Sequence, residues 1–149
     1  GRYNLYMAGT ADNYIAGALG IGGTPSANLT VVGTTLIQNS ANTAGRGSTI
    51  IQATTATTAQ TAIDTWSTTA YRTAKYLVQM TQGSNYHTIE LLLLQNGTTA
   101  YLTQYGEVTT GTILGTFDAS ISGSTLSLLI NPVSATSMTI NLVRDTISV

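Results

Sequence analysis

The sequence predicts an all-β protein: an antiparallel β-sandwich of about eight strands, jelly-roll-like, preceded by an arm of short extended strands. Three observations carry this. From Ile50 onward, apolar residues recur at every second position, with Gly, Asn, Ser or Pro turn signals about every 8–12 residues. Only 7% of residues are charged, against about 25% in soluble domains generally. Polarity rests instead on Thr, Ser, Asn, Gln and Gly, and the branched Thr favours pleated backbone. No stretch sustains a 3.6-residue apolar period with caps, although a short helical turn is compatible with Thr68–Tyr71.

The elements follow in order. Residues 1–37 hold short apolar bursts, Leu5-Tyr6-Met7, Tyr14-Ile15-Ala16, Leu19-Gly20-Ile21 and Leu29-Thr30-Val31-Val32, separated by glycines. Each is too short to bury itself within one chain, because a lone hairpin is marginal in water. Three copies wound about a common axis would cover them, with Tyr14, Ile15, Leu19, Ile21, Leu29 and Val31 at the contact. Residues 38–49, with two glycines around Arg46 and few apolar side chains, read as a linker, and a sandwich is expected over 50–149.

Within the sandwich, strands are expected over Ile50–Thr58 and Thr61–Trp66. Ala74, Tyr76, Val78 and Met80 then share one strand face, with Lys75, Leu77, Gln79 and Thr81 on the other. Gln82-Gly83-Ser84-Asn85 turns the chain. Ile89–Leu94 is an almost unbroken apolar run, expected where both sheet faces are covered. Asn96-Gly97 is the strongest hairpin signal, since both residues tolerate positive φ. It returns into Ala100 and Leu102 on one face, Tyr101 and Thr103 on the other. Ile113, Phe117, Ala119 and Ile121 share the next face. Leu126, Leu128 and Ile130 alternate up to the stop at Pro132, and Met138, Ile140 and Leu142 begin the last strand.

Composition excludes several functions. The chain of 149 residues carries a net charge of −1, and its cations Arg2, Arg46, Arg72, Lys75 and Arg144 are scattered. They cannot form the basic stripe that nucleic acid requires. With no cysteine, disulfides, thiolate metal sites and Cys nucleophiles are absent. No apolar run reaches the ~18 residues of a membrane span, so no membrane insertion is expected. No initiator Met or signal peptide opens the chain, and Gly1 reads as the edge of a fragment or a processed piece.

Several segments resemble virion components. Tyr14 to Val31, with Gly20-Ile21-Gly22-Gly23-Thr24-Pro25 at its centre, resembles the Gly-Ile-Gly…Pro segments of trimeric phage tail fibres and tailspikes, and Arg2-Tyr3-Asn4-Leu5-Tyr6 looks like their lead-in. Ala18 stands where those segments often carry Asn. Tyr71–Gln79, Glu90–Leu94, Asn96–Tyr101 and Tyr105-Gly106 are similar to domains in structural proteins of tailed phages of cyanobacteria. The resemblance implies an extracellular virion protein in a tail fibre or other appendage: a homotrimer in contact with other virion proteins. It identifies no ligand.

The chemistry available is sparse. His87, the one histidine, cannot build a multi-histidine metal site, and the ordinary reading is a residue at a strand start. Asp64, Glu90, Glu107 and Asp118 are the acids from which a glycosidase pair could be drawn, but a depolymerase groove needs more acids and aromatics than this chain offers. Lys75 is the one lysine, mid-strand; a Lys–Asn cross-link with Glu90 on a neighbouring strand as proton shuttle is one reading, and a salt bridge or a snorkelling exposed lysine is the ordinary one. Trp66 reads as core or interface. No cofactor motif is present: Gly20-Ile21-Gly22-Gly23 lacks the strand-then-helix context of a dinucleotide site. Recognition falls to the eight tyrosines, with Tyr71, Tyr86, Tyr101 and Tyr105 the candidates to stack on a host cell-surface glycan or to pack at a subunit contact. Three functions stay open: a non-enzymatic fibre, collar or decoration module; a receptor- or glycan-binding tip; and a subunit of a cellular surface filament or adhesin.

Overall fold

The computed structural model describes residues 35–38 and 45–148. The candidates Tyr14, Ile15, Leu19, Ile21, Leu29 and Val31 lie outside these residues. Among the described residues the structure is all strand, turn and bend, with no helix. In chain order the strands are β1 (Thr35–Gln38), β2 (Gly45–Thr55), β3 (Thr61–Ser67), β4 (Tyr71–Gln82), β5 (Asn85–Gln95), β6 (Ala100–Thr109), β7 (Gly115–Ser122), β8 (Thr125–Pro132) and β9 (Met138–Ser148).

All pairings are antiparallel and make two sheets. The larger runs β1-β2-β9-β4-β5-β6 and the smaller β3-β8-β7. The sandwich expected from the alternation is therefore present, and its division is unequal, six strands against three. Residues Gly45–Thr49, expected within the linker, belong to β2, and β1 along its edge (Thr35–Gln38) is made of the last three residues of the expected arm and the first of the expected linker. Gly45-Arg46-Gly47-Ser48 is linker-like in composition, but its backbone is paired residue for residue with the C-terminal half of β9, from Arg46 against Ile147 to Ser48 against Asp145.

Period-two alternation sorts the two faces. Ala74, Tyr76, Val78 and Met80 of β4 point inward and are fully buried, as are Leu126, Leu128 and Ile130 of β8 and Ile140 of β9. Phe117, Ile63, Trp66, Leu91 and Leu93 complete the core between the sheets. The turn at 68–70 is no helix: buried Gln95 donates from Nε2 to the carbonyls of Thr68 and Tyr71, at 2.7 and 2.8 Å. The Asn96-Gly97 hairpin forms, but its loop spans four residues. Asn96 Oδ1 accepts from the backbone N–H of Thr98 and Thr99, while Gly97 takes φ +101°. Ile113, expected in phase with Phe117, precedes β7 and is exposed.

One polar connection crosses the core. Arg144 of β9 donates from Nη1 to both carboxylate oxygens of Asp64 on β3, at 2.9 and 2.7 Å. Tyr76 of β4 donates to the same carboxylate at 2.9 Å, and the Trp66 indole donates to the Tyr76 hydroxyl at 2.8 Å. The side chains of Arg144 and Asp64 are only 12% and 7% exposed. Burial first, and then the Asp64 charge, hold the Tyr76 phenol well above its ordinary value, so it remains a donor.

Removing one member of a buried pair leaves the other charge uncompensated. Arg144→Met should therefore lower unfolding free energy by about 3–5 kcal/mol, read as a shift in urea midpoint by Trp66 fluorescence. Tyr76→Phe, which deprives Asp64 of a donor and Trp66 of an acceptor, should cost about 1–3 kcal/mol.

Candidate functional site

The outward face of the six-stranded sheet is the candidate interaction surface. Register places Ile50, Val143, Leu77, Glu90 and Tyr105 in one row across β2, β9, β4, β5 and β6. The adjacent row is Ser48, Asp145, Lys75, Leu92 and Thr103. A third runs Arg46, Ile147, Thr73, Leu94 and Tyr101. Ile50 is 80% exposed, Leu77 51%, Leu94 48% and Leu92 41%. The run Ile89–Leu94 was expected to be covered on both faces, but within this chain only Ile89, Leu91 and Leu93 are buried.

Two ion pairs sit among these apolar residues. Lys75 Nζ is 2.8 Å from Glu90 Oε2 and 6.0 Å from the centre of the Tyr105 ring. Arg46 Nη2 is 2.6 Å from Asp145 Oδ2. The hydrogen bond from Lys75 holds the Glu90 carboxyl below its usual range, and the Lys75 ammonium is raised in turn. Ser48, then Arg46, hold Asp145 low. Both carboxylates are thus ionised at neutral pH, although they flank Lys75 in an open depression together with Leu77 and Val143.

The four tyrosine candidates do not share one place. Tyr86, Tyr101 and Tyr105 are exposed on strands β5 and β6 of this sheet, and Asn96 donates to the Tyr101 hydroxyl at 3.3 Å. Tyr71 is separated from them. A register irregularity between Tyr71 and Thr73 adds one residue to β4, which reverses the side-chain phase. Tyr71 consequently packs edge-on against Trp66, ring centres 6.3 Å apart, beside the core.

A second bulge re-aims β6. Between the Glu90–Tyr105 and Thr88–Val108 pairs the chain passes through Gly106 at φ +63°, a conformation that costs glycine little. The extra residue turns Glu107 towards His87, which is fully buried, with Nε2 2.9 Å from Glu107 Oε1 but off the N–H direction. The Leu114 N–H donates to His87 Nδ1 at 3.2 Å, so the imidazole carries its proton on Nε2. His87 is a core residue tying β5 to the loop before β7, a role its position at a strand start did not reveal. Among the described residues no group of three or more His, Asp or Glu side chains could hold a metal ion, and no helix is long and apolar enough to cross a membrane.

No protein-family model matches the chain, and no curated protein matches it in sequence. Among solved structures, the chain is similar in fold to the tailspike protein gp49 of Acinetobacter baumannii bacteriophage Fri1, a capsular polysaccharide depolymerase, with a TM-score of 0.52 and 17% identity over 80% of this chain. Lower similarity is found to the tailspikes of Acinetobacter baumannii phage AM24 (TM-score 0.40, 12% identity, 67% of this chain) and Acinetobacter phage vB_ApiP_P1 (0.38, 17%, 91%). The chain spans 20% of the Fri1 protein's length and 26% of the other two. Fold and surface together define a two-sheet antiparallel sandwich domain with one apolar, charge-neutral outer face. Its architecture is that of a portion of the Fri1 tailspike.

The Lys75–Glu90 pair makes a prediction about pH. A lowered folded-state value means that Glu90 favours folding above its unfolded value and loses that contribution as pH falls through the lowered one. In Lys75→Met, the Glu90 midpoint, followed by carboxyl carbon NMR, should rise towards the ordinary 4.5.

Proposed function

We propose that the chain is a non-enzymatic structural and attachment module of a tailed-phage appendage, extracellular on the virion and assembled as a homotrimer that contacts other virion proteins. The observation that carries this is the fold shared with the Fri1 tailspike over 80% of the chain. The Tyr14–Val31 segment, with its resemblance to trimeric fibres and tailspikes, points the same way.

The depolymerase activity of the Fri1 protein belongs to a chain about four times as long, since the match covers 80% of this chain and 20% of that one. For this domain the carboxylates argue against hydrolysis. A glycosidase needs one carboxyl that keeps its proton until it reaches the leaving group. Here Asp64 is held by Arg144 and Tyr76, Glu90 by Lys75 and Asp145 by Arg46, while Glu107 faces the buried His87. Asp118 accepts from the N–H of its neighbour Ala119. Asp64, Glu90 and Asp145 are each committed to a cation, and among the described residues Glu107 and Asp118 do not form a pair with a second acid across a cleft.

A glycan-binding tip is the second reading, favoured by the exposed Tyr101 and Tyr105 along β6 with Asn96 and Lys75 beside them. Such rings stack on sugar faces, and polar neighbours fix the sugar's orientation.

One experiment addresses both. The chain is incubated with capsular polysaccharides of Acinetobacter strains, and polymer length and bound protein are both measured. The expected outcome is unchanged polymer length, and shortening would overturn the non-enzymatic reading. Where a polysaccharide binds, Tyr101→Ala and Tyr105→Ala should each weaken it about tenfold, the ~1.4 kcal/mol of one lost stacking contact.

A further inference from the structure

The outer face of the six-stranded sheet combines two facts that conflict in an isolated chain. Strand β5 reads Leu91-Leu92-Leu93-Leu94, without the alternation of a strand that is wet on one side. Leu92 and Leu94 nevertheless face outward, in line with Leu77, Val143, Ile50 and Ile147 on three neighbouring strands. Isolated exposed apolar residues are ordinary, but contiguous apolar patches beyond about 300–600 Å² mark contact surfaces.

Size and charge say what fits. Six strands at about 4.8 Å spacing and ten paired residues at about 3.4 Å give a face of roughly 24 by 34 Å, about 800 Å², in which the three rows above form an apolar centre and the Gln52–Asn141–Gln79–Thr88 row a polar rim. That is the area one partner contributes to a standard stable interface, about 800 Å². The four formal charges in the two central rows and the row beside them cancel within the chain, Arg46 against Asp145 and Lys75 against Glu90. A strongly charged partner gains nothing from such a surface. A glycan, itself polar, would leave the Ile50–Val143–Leu77 row unsatisfied. An identical face carries no net repulsion and has its own Leu92 and Leu94 to bury, and three such faces turned to one axis would each meet the other two.

We infer that this face is a self-association surface that seats the sandwich of a second copy of the chain, with Tyr101 and Tyr105 at its margin. The inference rests on the oligomeric part of the reading above, but it moves the contact. Association read from residues 1–37 alone assigns no partner to this face, whereas here the sandwich itself holds the copies together.

The test is the solution mass of the full chain by light scattering, from about 1 to about 200 µM, since association is concentration-dependent. Wild type should be multimeric. Ile50→Glu combined with Leu77→Glu should weaken association at least tenfold, with Trp66 emission unchanged. Ile50→Thr combined with Leu77→Thr places strand-favouring β-branched side chains at both positions and should weaken association in the same direction, which decides the matter where the glutamate pair unfolds the chain. A multimer of unaltered mass in the folded variants would overturn the inference and leave assembly with residues 1–37. A wild type monomeric throughout would overturn both the inference and the proposed trimer. Polysaccharide binding and polymer length report on attachment independently of either result.

Discussion

The ion pair between Asp64 and Arg144 is the constraint on which the sandwich depends. It is a charged bridge from the three-stranded sheet to the six-stranded one, supplemented by the Tyr76 hydroxyl on the carboxylate and the Thr65 carbonyl on the guanidinium. A buried pair of this kind is weak as net stabilisation, because desolvating both ions offsets much of their attraction. Its effect is on geometry. The carboxylate accepts from both Arg144 and Tyr76, Tyr76 accepts from Trp66, and Trp66 meets Tyr71 edge-on, so the positions of three strands, β3, β4 and β9, are set through one anion. Leu-on-Leu packing elsewhere in the core tolerates small slides of one sheet over the other. This cluster does not, since a displacement of one residue exchanges inward and outward faces and strands the charge.

With the inner face committed in this way, the outer face of the larger sheet is free of structural duty. Its two ion pairs are surface pairs, each worth little to stability. Their consequence is electrostatic neutrality on a surface where exposed Ile, Leu, Val and Tyr side chains are interspersed with uncharged Ser, Thr, Gln and Asn. The bulges act on the same division of labour. One at Tyr71–Thr73 sends a tyrosine inward to Trp66. The other, at Gly106, sends Glu107 towards buried His87 and leaves Tyr101, Tyr105 and Val108 outward. A bulge is thus the device by which this chain decides which aromatic rings are structure and which are surface.

Legibility in the sequence follows the same physics. Strands β4, β8 and the start of β9 alternate strictly, so their inward residues could be named from spacing alone. Strand β5 could be located but not oriented, because four consecutive leucines carry no phase. Gly45–Thr49 looked like linker because composition reports side chains, while its place in β2 comes from pairing with β9 about a hundred residues away in sequence. The Asp64–Arg144 bridge was unreadable for the same reason, its partners being 80 residues apart. For Lys75 and Glu90 the neighbourhood was legible, as two residues near each other across one hairpin, but the ion pair between them was not singled out. Three of the four tyrosine candidates are on one surface. Tyr71 is not, since a single inserted residue inverts a phase that the sequence gives no sign of inverting.

The charge-poor composition acquires a specific meaning from this arrangement. A low charge content could simply reflect an outer surface indifferent to salt and pH. The described acids and bases are not spread at random, however: Asp64 and Arg144 join the sheets, and Arg46, Asp145, Lys75 and Glu90 sit together on the apolar outer face. A chain with few charges that places four of them, self-neutralised, in the middle of its most apolar surface limits how that surface can be approached. Any partner that buries them must preserve both pairs or supply equivalents, because an unpaired buried ion costs several kcal/mol. The apolar rows supply the drive to associate, and the ion pairs restrict the registers in which association is tolerated. A face built only of leucine and isoleucine would have the first property without the second.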